Sequence, residues 1–329
     1  MDKIYIVGGG ASGMMAAIQA KTKDNEVILL EKNDRVGKKI LATGNGKCNL
    51  GNENLSVDCY YSKNGSFVEQ VLKRYDTESA VSFFSSIGLK VRSKNGYLYP
   101  YAEQASVVLD VLRMELERRS IQVKPEVQIT DCIPLKKKRG FQLKTSEGKS
   151  YEADRVILAC GGPASLKEGG KDGYNILQKL GLKTYPLVPG LVQLRTDGKE
   201  QKAMSGVRCK ASLRLFTDGI QQGSEQGELQ LTDYGISGIP VFQLSRVAAY
   251  ALRNRKSVMV QIDFTPEYSY DEIVTYLLEQ QNLRKDQTVD ELLTGFLNKK
   301  INLTFLKKCQ IAGNRTVESL QKKEIKQLA

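Results

Sequence analysis

The chain has 329 residues, 41% of them hydrophobic and 26% charged. That balance suits a globular protein of about two domains and excludes collagen-like or largely disordered chains. It contains no histidine, which removes Ser-His-Asp and Cys-His catalysis and any histidine-ligated metal site, so no metal is expected. Forty-nine basic against 37 acidic residues leave a net charge of +12, favouring anionic partners such as phosphate-bearing cofactors.

The first element is a short β-rich run, Ile4-Tyr5-Ile6-Val7, followed by Gly8-Gly9-Gly10-Ala11-Ser12-Gly13 and a helix-forming stretch from Met14 to Ala20. Residues 4–20 are uncharged, but the glycines interrupt the continuous apolar core that a signal sequence or a membrane span needs. A second apolar run, Val27 to Leu30, ends at Glu31. Strand, G-x-G-x-x-G turn, helix, strand and acid together form a dinucleotide fingerprint. Gly8 allows the tight turn, Gly10 lets the backbone approach a pyrophosphate, and Gly13 lets the helix pack on the strand. Ser12 stands at the helix start, where free N–H groups meet phosphates. Glu31 can accept hydrogen bonds from a ribose diol and would repel a 2′-phosphate, which disfavours NADP at this site. A glycine-rich structural turn is the alternative reading.

Residues 35–49 continue as a loop rich in Gly, Asn and Lys, where an NAD-type fold would enter another helix and strand. Gly37, Gly44 and Gly46 suit close backbone approach to a ligand, and Lys38 and Lys39 suit phosphate charge; Asn45 and Lys32 join them as cofactor-binding candidates. The segments GGGASG (8–13), EK (31–32) and GKKILATGNGKCN (37–49), with VILACGGPA (156–164), YPLVPGLVQL (185–194) and LTDYGISG (231–238), resemble the BaiN/YhiN-like FAD-dependent oxidoreductases, some labelled aminoacetone-oxidase-like. The resemblance covers nearly the whole chain in the same order. It implies FAD and an α/β fold: a glutathione-reductase-type Rossmann-like FAD-binding domain carrying an inserted mixed β-barrel and helical domain. The first would span 1–188 and the second 189–329.

Further along, residues 66–88 follow a helical period that Gly88 stops, residues 97–101 are β-like, and a helix is expected over 106–119. Strand-like runs at 121–123, 127–133 and 141–145 form a meander crossed by Lys136-Lys137-Lys138-Arg139, which reads as a solvated hairpin turn or, alternatively, a binding patch. No aromatic residues interleave that run as stacking platforms would require, and neither a nucleic-acid nor a membrane partner is expected. The resemblance implies adenine contact near 127–129, at Val127 or Ile129, and Ile129 is taken as the candidate. The strand 156–159 ends in Cys160-Gly161-Gly162, resembling a second FAD fingerprint with cysteine where threonine is usual, and Gly161 joins the candidate set. Residues 163–173 are glycine- and lysine-rich, and a helix is expected at 174–180. Beyond Pro186 and Pro189, strands are expected at 191–195, 211–216, 228–232 and 257–264. Helices are expected at 240–252, 271–281, 289–298, 302–308 and 316–328.

No second G-x-G-x-x-G is present, so NAD(P)H, if it reduces the flavin, must dock transiently. Family members continue into a third fingerprint. The chain is therefore expected to be C-terminally truncated, with a complementing C-terminal segment as an expected partner, and Asp233 stands where the family usually has histidine. Cys48 and Tyr234 are the catalytic candidates, a flavin-side thiol and a proton donor; Tyr97, Tyr99 and Tyr101 are further proton-donor candidates, and packing roles are the alternative for all of them. Six cysteines without a C-x-x-C pair suit a cytoplasmic protein with reduced thiols. The expected function is hydride transfer between NAD(P)H, flavin and a small organic substrate, by enone-type reduction or amine oxidation. The alternative is a catalytically silent, truncated nucleotide-binding or nucleic-acid-associated protein.

Overall fold

The computed structural model describes residues 1–62, 64–136, 139–164, 172–198 and 200–329. Lys137 and Lys138 of the basic run, and residues 165–171 of the glycine- and lysine-rich stretch, lie outside the described residues. Two units are present, Met1–Tyr185 and Pro186–Ala329.

The first unit runs β1 (Asp2–Val7), α1 (Ala11–Ala20), β2 (Asn25–Leu30), β3 (Gly51–Asn52), α2 (Gly65–Arg74), α3 (Thr77–Ser86), β4 (Val91–Lys94), β5 (Tyr97–Pro100), α4 (Ala105–Arg118), β6 (Gln122–Lys124), β7 (Ile129–Pro134), β8 (Phe141–Thr145), β9 (Ser150–Ala153), β10 (Arg155–Leu158) and α5 (Asp172–Lys179). Strands β10-β1-β2-β6 form a parallel sheet in that order. The central strands β1 and β2 are apolar on both sides over residues 4–7 and 27–30 because both faces are covered there. Ile4, Ile6, Val27 and Leu29 pack with Met14, Ile18, Leu109 and Leu116 of α1 and α4. Tyr5, Val7, Ile28 and Leu30 pack on the other side with Ile129, Leu143 and Ile176. That second face is roofed by the antiparallel sheet β7-β8-β9, and Lys136 and Arg139 of the basic run stand between β7 and β8. This is the Rossmann-like α/β architecture expected from the motifs.

A small sheet β3-β5-β4 completes the unit. The helical period over 66–88 resolves into two helices, because Asp76 stops the first and caps the second, accepting from the Ser79 N–H at 2.8 Å. α4 is clamped to α1 by Arg119, whose guanidinium donates to Ile18 O at 2.9 Å and to the buried Glu115 carboxylate at 2.6 Å.

The second unit holds β11 (Leu194–Arg195), α6 (Glu200–Ala203), β12 (Arg208–Thr217), β13 (Ile220–Thr232), β14 (Gly235–Ser237), α7 (Ile239–Arg253), β15 (Val258–Asp263), α8 (Tyr270–Leu283), α9 (Val289–Thr294), α10 (Lys299–Lys308) and α11 (Lys322–Leu328). Its five-stranded antiparallel sheet has the order β11-β14-β13-β12-β15. Val241, Leu244 and Ala248 of α7 pack on Leu213, Leu215, Leu229 and Leu231. Helices α8–α11 share a separate apolar cluster. The helix expected over 316–328 is broken: Val317–Ser319 form one 3-10 turn, and α11 starts afresh behind a capping box of Gln321 and Glu324. The Arg315–Glu324 ion pair, 2.6 Å, fixes that break. Among the described residues no helix is long and apolar enough to cross a membrane.

Candidate cofactor-binding site

A cavity of about 430 Å³ opens at the C-terminal edge of the parallel sheet, floored by the glycine turn between β1 and α1. Ligands bind at this edge of open α/β sheets. The glycines there answer different demands. Gly8 has φ +108, and a Cβ on it would lie 2.5 Å from Ala159 O. A Cβ on Gly13 would lie 1.8 Å from Gly8 O. These two are fixed by the fold itself. Gly10 is different: a Cβ there would meet no protein atom within 4 Å. It would project into the open space at the start of α1, which Gly10 caps and Ser12 borders. Space kept clear of protein beside free helix N–H groups suits a phosphate.

Glu31 forms another part of the wall and is only 7% exposed. Its Oε2 accepts from the Gly9 N–H at 2.6 Å, and its Oε1 accepts from the Asn33 N–H at 2.8 Å and from the Asn33 side-chain amide. A carboxylate has about four lone-pair sites, so acceptor capacity remains beyond these three bonds. The backbone of Glu31 is pinned as well: its N–H donates to Lys124 O and its carbonyl accepts from Val127 N–H. Neither Gly9 nor Asn33 stood out in the sequence. The triple glycine was the available signal for Gly9; Asn33 had none.

Lys32, Lys38 and Lys39 all border the cavity. Lys38 pairs with Asp34 at 2.5 Å and holds that carboxyl below its ordinary range. Lys39 Nζ donates to Gly162 O at 2.7 Å, joining the loop after β2 to the turn after β10, where Gly161 lies. Ile129 and Val127 both line the cavity, so the structure does not separate the two. Cys160, also in the wall, donates from Sγ to Val7 O at 3.6 Å.

The 37–49 loop enters only partly. Gly37, Ile40 and Thr43 border the cavity, whereas Gly44, Asn45, Gly46 and Cys48 do not. Those four residues all have φ between +54 and +82, interrupted only by the right-handed Lys47, and the loop folds back so that Cys48 N–H donates to Thr43 O at 3.1 Å. Cys48 is buried there. Glu103 anchors the loop by accepting from Lys47 at 2.8 Å, and also pairs with Arg92 and with Lys94 at 3.5 Å. The Lys47 bond, foremost, keeps the Glu103 carboxyl below its usual range. Tyr234 belongs to the second unit, in the β13–β14 turn, and is half-exposed.

A parallel sheet, a glycine turn opening a helix beneath a cavity, and an acid closing the second strand define a dinucleotide-binding α/β oxidoreductase fold. The chain belongs to the HI0933-like family: the model described as HI0933-like protein Rossmann domain matches residues 2–323. It is 39% identical to the 3-dehydro-bile acid delta(4,6)-reductase of Clostridium scindens, over 98% of this chain and 78% of that protein. It is 26% identical to the ribosomal RNA dihydrouridine synthase of Haemophilus influenzae, over 98% of this chain and 78% of the other. It is 25% identical to the protein of the same name from Escherichia coli, over 90% and 71%. The protein is an FAD-dependent oxidoreductase, as the 8–13, 31–32 and 37–49 motifs led us to expect.

Proposed function

We propose that this protein reduces a carbon–carbon double bond conjugated to a carbonyl, drawing its hydride from NAD(P)H. The observation that carries the cofactor placement is the protein-free space at the Gly10 Cβ position, beside the start of α1. In this reading the N–H groups at 10–13 receive the pyrophosphate, and Lys38 and Lys39 supply positive charge. The remaining lone pair of Glu31 accepts from the adenosine ribose, and Val127 and Ile129 flank the adenine. FAD, when bound, supplies hydride transfer, while the chain orients it and excludes water. In this reading residues 1–188 form the FAD-binding domain that holds this site, and residues 189–329 form the inserted second domain. That the six cysteines form no disulfide among the described residues supports a cytoplasmic setting in this reading.

The named activities of the relatives support the choice of acceptor. A bile acid with a 3-oxo group and Δ4,6 unsaturation and a uracil ring both present C=C conjugated to C=O, so one flavin chemistry serves either. The test is anaerobic: the flavin-loaded protein is reduced with NADPH or NADH and mixed with a conjugated enone or the matching saturated ketone. Reoxidation by the enone alone is expected. No reduction by either nicotinamide, or equal reoxidation by the saturated ketone, would remove this reading.

A further inference from the structure

Glu31 is heavily engaged before any ligand arrives. Its Oε1 accepts two bonds from Asn33, one from the backbone N–H at 2.8 Å and one from the side-chain amide, and its Oε2 accepts from the Gly9 N–H at 2.6 Å. A carboxylate has about four lone-pair sites, two on each oxygen. Oε1 is therefore filled, and Oε2 has room for one more donor. A ribose diol brings two hydroxyls. Glu31 can serve one of them, and the other needs an acceptor elsewhere. Asn33 stands beside Glu31 in the same cavity wall. Because a carboxylate oxygen only accepts, the amide turns its nitrogen to Glu31 and its Oδ1 away from it. That Oδ1 accepts from no donor among the described residues. The backbone of Asn33 is held on both sides: its N–H donates to Glu31, and its carbonyl accepts from the Glu126 N–H at 2.9 Å. The neighbouring carbonyls of Glu31 and Lys124 are already engaged, by the N–H groups of Val127 and Glu31.

We infer that Asn33 is a second ribose-binding residue: its Oδ1 accepts one hydroxyl of the adenosine ribose, while the open lone pair of Glu31 Oε2 accepts the other. The Nδ2 bond ties the two acceptors into one unit, so neither side chain has to be ordered when the cofactor arrives. Asparagine is the residue type that meets both demands at once, a donor towards Glu31 and an acceptor towards the ribose. An apolar side chain at 33 would leave one ribose hydroxyl without a protein partner, and an unpaired polar group taken out of water costs binding. An aspartate would set a second carboxylate against Glu31. The assignment rests on the cofactor placement of the proposed function; the count of lone pairs on Glu31 does not.

The test is flavin-fluorescence titration of the full apo chain with FAD and with its 2′-deoxyadenosine and 3′-deoxyadenosine analogues. In the wild type each missing hydroxyl is expected to weaken binding, by about two- to tenfold for the one on Asn33 and by more than about tenfold for the one on Glu31. Asn33→Ala is expected to bind FAD and one analogue equally, because the hydroxyl missing from that analogue is the one it no longer holds. Glu31→Ala is expected to bind FAD and the other analogue equally. Asn33→Ser, which keeps the backbone bond to Glu31 and is too short to reach the ribose, repeats the Asn33→Ala pattern, and circular dichroism confirms that each variant is folded. If the variants of both residues become indifferent to the same analogue, Asn33 acts only through Glu31 and the assignment falls. It falls as well if both Asn33 variants stay sensitive to both analogues, or if the wild type binds either analogue as tightly as FAD, a measurement that needs no variant. Unchanged FAD affinity in Glu31→Ala would remove the cofactor placement and this assignment together, whereas failure of the Asn33 variants alone removes only the assignment.

Discussion

Replacing Gly10 with valine separates the cofactor's demands from those of the fold. The backbone at Gly10 is extended, φ −77 and ψ −174, which valine adopts without strain. Its Cβ would meet no protein atom within 4 Å. Removing glycine's freedom from the unfolded chain stabilises by about 0.4–1 kcal/mol, and loss of the cap preference costs a similar amount. The stability of the apo protein is therefore expected to change by less than about 1 kcal/mol. The cofactor meets the opposite situation, because the valine methyls fill the space kept for the pyrophosphate. Hydrogen bonds to a charged group contribute about 1.5–3 kcal/mol each, so losing two costs about 3–6 kcal/mol, a rise in Kd of more than about a hundredfold. Gly13→Ala provides the contrast. Its Cβ would stand 1.8 Å from Gly8 O, a backbone atom that cannot swing aside, and overpacking of that kind costs about 3 kcal/mol in the fold itself. Denaturant unfolding of the apo forms and flavin-fluorescence titration give the two quantities. A Gly10→Val protein that binds FAD with wild-type affinity, or whose apo form loses several kcal/mol, would refute the assignment.

Glu31→Ala is expected to weaken FAD at least about tenfold, from the loss of a charge-assisted bond to the ribose; it should also lower apo stability, because the Gly9 and Asn33 N–H groups lose their acceptor, and unfolding curves check this. Lys39→Met removes the 2.7 Å bond to Gly162 O and one cation from the cavity wall, so FAD affinity should fall and become less salt-dependent, as titrations at low and high salt would reveal. Glu115 gives a pH prediction. The Arg118 guanidinium foremost, then Arg119, lowers its carboxyl from 4.5 to about 2. A depressed folded pKa contributes stability above the unfolded value, and this is lost as pH falls from about 4.5 towards 2. Both arginines reach solvent, which reduces the contribution to about 2 kcal/mol. Glu115→Gln should flatten that part of the acid-unfolding profile, and an unchanged profile would show that the ion pairs contribute nothing.

What could be read from the sequence and what could not divide along a physical line. The parallel sheet and its cofactor edge were legible because their signals are local. Ile4–Val7 and Val27–Leu30 are apolar at every position, as strands covered on both faces must be, and the glycines mark the turn between strand and helix. Glu31 was legible for the same reason, standing at the end of its strand. Asn33 was not: it matters through a side-chain contact two residues back, to the Glu31 carboxylate, which neither periodicity nor spacing marks. Cys160 was read at the end of a second fingerprint, and the pairing of β10 with β1 brings it to the cavity. The breaks at Asp76 and Gln321 escaped a reading by periodicity because the apolar spacing runs on through both, and caps overrule spacing where a side chain satisfies the new helix start. The hairpin β4–β5 is the sharper case. Tyr97, Tyr99 and Tyr101 were read as proton-donor candidates or packing residues on one β-like segment, and the cations beside them lie on a different strand. Only register brings them side by side, and a slip of one residue would set Arg92 and Lys94 opposite buried positions instead. The signal that fixes the register was present all along in Asn95-Gly96, whose two positive φ angles allow one tight hairpin and therefore one pairing of Lys94 with Tyr97. A turn dipeptide of that kind carries information about the faces of both strands it joins.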